Sequence, residues 1–132
     1  MNTWIAKAYR PAWMWALVIL ILTLTPGKFM PQVDYWSIMS LDKYVHMGIF
    51  FVQVLLILRG AKALKILTVR NYFIYALIGT VYGALIECIQ QFIPLRSFDV
   101  NDMVANMAGA LIAAAVFYIF EKAGDKKENN RI

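Results

Sequence analysis

Cysteine is nearly missing from this sequence: Cys88 is the only one among 132 residues. That excludes an internal disulfide and leaves no thiolate pair for a metal. A lone cysteine reads as a small packing residue. Histidine is as scarce, with His46 alone, and serine is limited to Ser37, Ser40 and Ser97. A rhomboid-type protease needs a serine nucleophile beside a histidine, and these serines stand in or near loops. A lipid phosphatase of the acid phosphatase type needs paired arginine motifs and a second histidine, whereas His46 and Arg96 are single. A CAAX-type prenyl-protein protease needs a paired glutamate motif and more histidines. Internal repeats and low-complexity tracts are also lacking.

Charge is scarce too, at 16% of residues, against 61% hydrophobic residues and a mean hydropathy of +0.61. A chain this apolar and this short is one small integral membrane domain rather than a soluble one. The net charge of +5 does not point to nucleic acid, because the basic residues divide among short flanks of apolar runs and never interleave with aromatic polar surface.

In order, the chain opens on a short basic segment whose Trp4, Tyr9, Trp13 and Trp15 suit a membrane–water interface. The first span is expected over 12–25, ending at Thr25-Pro26-Gly27. It falls short of the ~20 residues a straight span needs, so Lys7 and Arg10 should snorkel. No small-residue cleavage site follows, which argues against a signal peptide. Residues 29–40 should rest in the outer interface. The second span is expected over 41–58, with Asp42 and Lys43 in its first turn, where a carboxylate suits the positive end of the helix dipole. The third is expected over 72–92, stopped by Pro94. The fourth covers 103–120, with Asp99 or Asp102 as N-cap. A charged, frayed tail should occupy 121–132.

The expected fold is therefore an all-α bundle of four transmembrane helices. Its orientation follows from counting. With the N-terminus, the middle loop and the tail on one side, ten of the thirteen basic residues lie there, which marks that side as cytoplasmic. The opposite side keeps Lys28, Lys43 and Arg96 but five of the eight acids: Asp34, Asp42, Glu87, Asp99 and Asp102. Both termini are expected in the cytoplasm of a multi-pass cell-membrane protein.

That topology gathers polar residues at one outer face. With a rise of ~1.5 Å per residue, Glu87 lies about 10 Å below Pro94, while His46 and Asn106 each lie about 6 Å below Asp42 and Asp102. On the third helix Gly79, Gly83 and Glu87 share a face at four-residue spacing, which lets helices approach closely. Gln90 and Gln91 flank that stripe. On the fourth, Asp102, Asn106, Gly109, Ala110 and Ala113 make a comparable face. Ionisable groups at this depth are costly unless they are paired or wet. No charge lies on the inner half of the spans, where a transporter would carry an acidic or gating feature.

The order Asp42-Lys43-Tyr44-Val45-His46, Glu87-Cys88-Ile89-Gln90, Pro94-Leu95-Arg96 and Asp102-Met103-Val104-Ala105-Asn106-Met107-Ala108-Gly109 resembles the signature of the VanZ-like membrane proteins. Leu24-Thr25-Pro26-Gly27 resembles the end of that family's first helix. The resemblance spans roughly residues 22–113. It implies a cell-envelope context, a set of marked residues and a connection with resistance to the glycopeptide antibiotic teicoplanin.

Two functional readings follow. In one, the outward pocket is catalytic: Arg96 holds a phosphate while Glu87 and His46 exchange a proton with an envelope lipid or lipid-linked sugar, with Asp102 beside them. A variant places a divalent metal on His46, Glu87 and Asp102 or Asp99. In the other, Asp42, Lys43, Gln90, Gln91, Asp99 and Asn106 help bind, without reaction, a lipid headgroup, a lipid-linked cell-wall precursor or a lipoglycopeptide antibiotic. The plainer possibility is that the same residues cap and join helix ends.

Overall fold

The computed structural model describes residues 3–26 and 35–129. Four helices account for nearly all of them: α1 (Thr3–Leu24), α2 (Tyr35–Ala63), α3 (Val69–Gln90) and α4 (Val100–Asn129). Each contains a segment long and apolar enough to cross a membrane: Thr3–Leu24, Leu41–Ala63, Val69–Gln90 and Val100–Lys127. The chain is all-α and compatible with a four-span bundle. α2 and α4 form its principal pair, α3 packs against α4, and α1 lies against α2 and α3.

All four helices start earlier than apolar composition suggests, and α2 and α4 also end later. α1 begins at Thr3 rather than near Ala12 and passes through Pro11. A proline inside a helix forfeits the hydrogen bond to the carbonyl four residues back. Packing compensates here, because the Tyr9 ring and the Ala8 carbonyl press against Gly60 of α2, where an added Cβ would meet Tyr9 Cδ1 at 2.7 Å. The Tyr9 hydroxyl also lies 3.1 Å from that of Tyr75 on α3.

α2 continues past Leu58 to Ala63 and ends in a Schellman turn. Ile66 N–H donates to Ala61 O at 3.1 Å and Lys65 N–H to Lys62 O at 2.9 Å. Lys65 takes the left-handed conformation (φ 56°) that this cap requires. α3 starts at Val69, where Asn71 Oδ1 accepts the Thr68 backbone N–H at 2.7 Å. It stops at Gln90, short of the expected Phe92, and turns over to Leu95, which is left-handed at φ 60°.

Asp99 is the N-cap of α4: its Oδ1 accepts the Asn101 backbone N–H at 2.8 Å. At the other end, residues 121–129, expected to fray, continue the helix. Glu and Lys are good helix formers, and Lys62 of α2 pairs with Glu121. The expectation that residues 29–40 rest in the interface lies mostly outside the described residues. Only the backbone of 35–40 is described, and it is helical.

Two buried clusters hold the bundle together. One joins Val54, Leu58, Tyr72, Ala76, Ala110, Ala113 and Ala114, and the other joins Ile19, Phe50 and Ile86. Large apolar side chains such as Phe73, Leu77, Leu85 and Leu111 face outward, as a lipid solvent permits. The small-residue stripe of α3 does set the packing. A Cβ on Gly79 would lie 2.6 Å from Val54 Cγ2, and one on Gly83 would lie 2.8 Å from Asn106 Cβ. Tightest of all is Gly109 of α4, where a Cβ would lie 2.1 Å from the Met47 carbonyl oxygen of α2.

Candidate functional site

The close approaches at Gly83 and Gly109 bring three polar faces to one point. Asp42 and His46 are one turn apart on α2, Asp102 and Asn106 one turn apart on α4, and Glu87 follows Gly83 by one turn on α3, so each set shares a face. His46 occupies the centre. Its Nδ1 lies 3.1 Å from Asn106 Oδ1 and 3.5 Å from Glu87 Oε1. Its Nε2 lies 3.7 Å from Asp42 Oδ1 and 3.9 Å from Asp102 Oδ2.

The cluster is buried rather than an open bowl. Glu87 and Asn106 are 0% exposed and His46 is 4% exposed, while the side chain of Asp42 at the rim is 43% exposed. Four buried polar atoms within it have no hydrogen-bond partner: both carboxylate oxygens of Glu87, Asp102 Oδ1 and Asn106 Nδ2. Buried polar groups are nearly always satisfied, so several orphans in one place mark a strained or ligand-related site. The charges are unbalanced as well. Three carboxylates surround one imidazole, and among the described residues Lys43 interacts electrostatically with Asp102.

The remaining candidates divide differently from the expectation. Gln90 is buried, but its Nε2 donates to Thr23 O at 2.8 Å, at the end of α1. Gln91 is exposed and donates to Cys88 O within its own turn. Arg96 does not bridge to Asp99 or Asp102, because its Nε donates to Thr25 O at 3.3 Å. The last carbonyls of α1 lack helical partners, so Gln90 and Arg96 tie that helix end to the α3–α4 loop. Asp99 is spent on its cap. For the metal set expected on His46, Glu87 and Asp102 or Asp99, distance favours a different grouping. Glu87 faces Nδ1, whereas the group whose ligand atoms all lie within 4.8 Å of one another is Asp42, His46 and Asp102.

Two features escape the sequence reading. The partners of Gln90 and Arg96 are backbone carbonyls, which no residue type announces. Gln53, buried on α2 with an unpartnered Oε1, lines a cavity of about 780 Å³ between α1, α2 and α3 with Tyr9, Trp13 and Tyr75. That cavity includes none of the candidate site residues. A lone amide inside an apolar run was the available signal.

A bundle of four membrane-length helices closed around a histidine and three carboxylates defines a multi-pass membrane protein with a buried polar centre. The chain matches the VanZ/LLP1 family over residues 3–121 and belongs to that family. Neither a curated protein nor a solved structure matches it.

Proposed function

We propose that this VanZ-like envelope protein uses the His46 cluster, at the outer face of the membrane, to act on or bind an envelope amphiphile: a lipid, a lipid-linked cell-wall precursor or a lipoglycopeptide. Both termini then lie in the cytoplasm. The observation that carries the reading is a fully buried, unpartnered Glu87 set against His46. So costly an arrangement exceeds what helix packing alone requires. A carboxylate and an imidazole in contact form a proton-exchanging pair suited to general acid–base chemistry. Asp42, half-exposed at the rim, is where a headgroup would meet them.

A second reading is favoured by Gln90 and Arg96. Gln90 donates to Thr23 O, and Arg96 donates through Nε to Thr25 O, so both join α1 to the α3–α4 loop. On that reading the cluster too is a polar joint, with binding confined to its rim.

Sidedness is tested by thiol labelling in a Cys88→Ala background. Cysteine at Lys65 or Lys126 should resist an impermeant maleimide in intact cells, and cysteine at Ser97 should react. Labelling at Lys65 in intact cells, with Ser97 protected, would place the cluster at the cytoplasmic face and end the envelope reading.

A further inference from the structure

We propose that Asp42, His46 and Asp102 form a divalent-cation site in which His46 binds through Nε2 while Asn106 holds the ring from Nδ1, with the Glu87 carboxylate 3.5 Å behind it. The proposal deepens the envelope-site reading and rests on it for its role. Metal binding itself is measured on purified protein, so the two fail separately.

The geometry comes first. A transition ion bound tetrahedrally at ~2.0–2.2 Å separates its ligand atoms by roughly 3.3–3.6 Å. Here Nε2 stands 3.7 Å from Asp42 Oδ1 and 3.9 Å from Asp102 Oδ2, and ligand atoms of all three residues lie within 4.8 Å of one another, so closure draws the two carboxylates inward. Asp42 is one helical turn from His46, and Asp102 approaches from α4 across the contact that Gly109 permits.

The opposite side of the ring supplies an independent argument. Asn106 Oδ1 and Glu87 Oε1 are both acceptors facing Nδ1. They favour the tautomer with its proton on Nδ1, which leaves the Nε2 lone pair directed at two carboxylates. That is repulsive for a neutral ring and is relieved by a cation at Nε2, either a second proton or a metal ion, which the ¹⁵N spectrum below tells apart. A carboxylate behind a histidine that presents its other nitrogen to a metal is a recurrent arrangement, because it fixes the tautomer and raises the basicity of the ligand. Asp102 Oδ1, buried and unpartnered, and the surplus of carboxylates over cations point the same way.

One imidazole and two carboxylates suit Zn²⁺ or Mn²⁺ rather than Mg²⁺. Three protein ligands leave a position open on the side of half-exposed Asp42, as metal sites that receive an external ligand do. An ion there would let an otherwise acidic cluster accept an anionic headgroup.

The test uses the full chain, purified in a nonionic detergent through a tag without histidine and stripped with EDTA. Equilibrium dialysis against Zn²⁺ or Mn²⁺ should load one ion per chain, and loading should raise the unfolding temperature where Mg²⁺ does not. Because His46 is the only histidine, the ¹⁵N spectrum of histidine-labelled protein reports the site directly: Nε2 should shift on loading while Nδ1 stays protonated. Asp102→Asn and Asp42→Asn should each weaken binding at least tenfold, and Glu87→Gln should weaken it about 10- to 100-fold through the ring. Asp42 lies at the rim, so its variant should keep the fold even if Asp102→Asn does not. Absence of saturable binding, or binding that Asp42→Asn leaves unchanged with no movement of the Nε2 resonance, overturns the proposal.

Discussion

Gly109→Ala is expected to destabilise the bundle strongly, although it adds a single methyl group. The new Cβ would lie 2.1 Å from the Met47 carbonyl oxygen, 2.9 Å from its carbonyl carbon and 3.1 Å from its Cα. All three are backbone atoms of α2, so no side chain can rotate away and the helices must separate. Overpacking that forces a backbone shift costs about 1–3 kcal/mol and sometimes more. The α2–α4 seam is the bundle's principal contact, so the upper end of that range applies. Gly48→Ala is the matched control: a Cβ there meets nothing within 4 Å, and alanine favours helix by up to about 1 kcal/mol. Thermal unfolding in detergent should therefore show a large loss for Gly109→Ala and none for Gly48→Ala. Equal midpoints would mean that the helices do not meet as described.

His46→Leu should produce a loss of similar size for an electrostatic reason. The imidazole Nδ1 lies 3.5 Å from Glu87 Oε1, and its Nε2 faces Asp42 and Asp102. Removing one polar partner leaves the buried survivor unsatisfied, at about 1–3 kcal/mol and more where it is charged, whereas replacing both with apolar residues of similar shape is often nearly neutral. The double variant His46→Leu/Glu87→Leu should therefore be less destabilised than the two single changes summed, with a coupling of about 0.5–3 kcal/mol. Simple additivity would show that the two side chains do not share the buried contact.

Much of this architecture is legible in residue order. Four long apolar runs separated by short basic or proline-bearing loops force an antiparallel bundle. Within it, i,i+4 pairs such as Asp42/His46 and Asp102/Asn106 must lie on one face of each helix. The Gly79, Gly83 and Glu87 stripe likewise places its carboxylate inward. Helix ends are less legible, because charge marks where apolar composition stops rather than where backbone hydrogen bonding stops. Arg59, Lys62 and Glu121 remain helical for that reason. The role of Arg96 was hidden for a different one: its partner is the carbonyl of Thr25, a group every residue carries. Which nitrogen of His46 faces which carboxylate is set by helix rotation, to which sequence spacing is blind. Residue types alone therefore put Glu87 among the candidate ligands, whereas distance groups Asp42 with His46 and Asp102.

The central claim is that the His46 cluster does chemistry or binds a ligand and does more than join helices. Glu87→Gln addresses it most directly, since the amide keeps the shape and hydrogen-bonding capacity of the side chain while losing the charge and the exchangeable proton. The measurement is the inhibitory concentration of teicoplanin for cells expressing wild type or Glu87→Gln at matched membrane levels, alongside the unfolding midpoint of each purified protein. The account predicts that wild type raises the inhibitory concentration, and that Glu87→Gln stays folded yet gives no protection. A folded Glu87→Gln that protects as well as wild type would contradict it and make the cluster a polar joint.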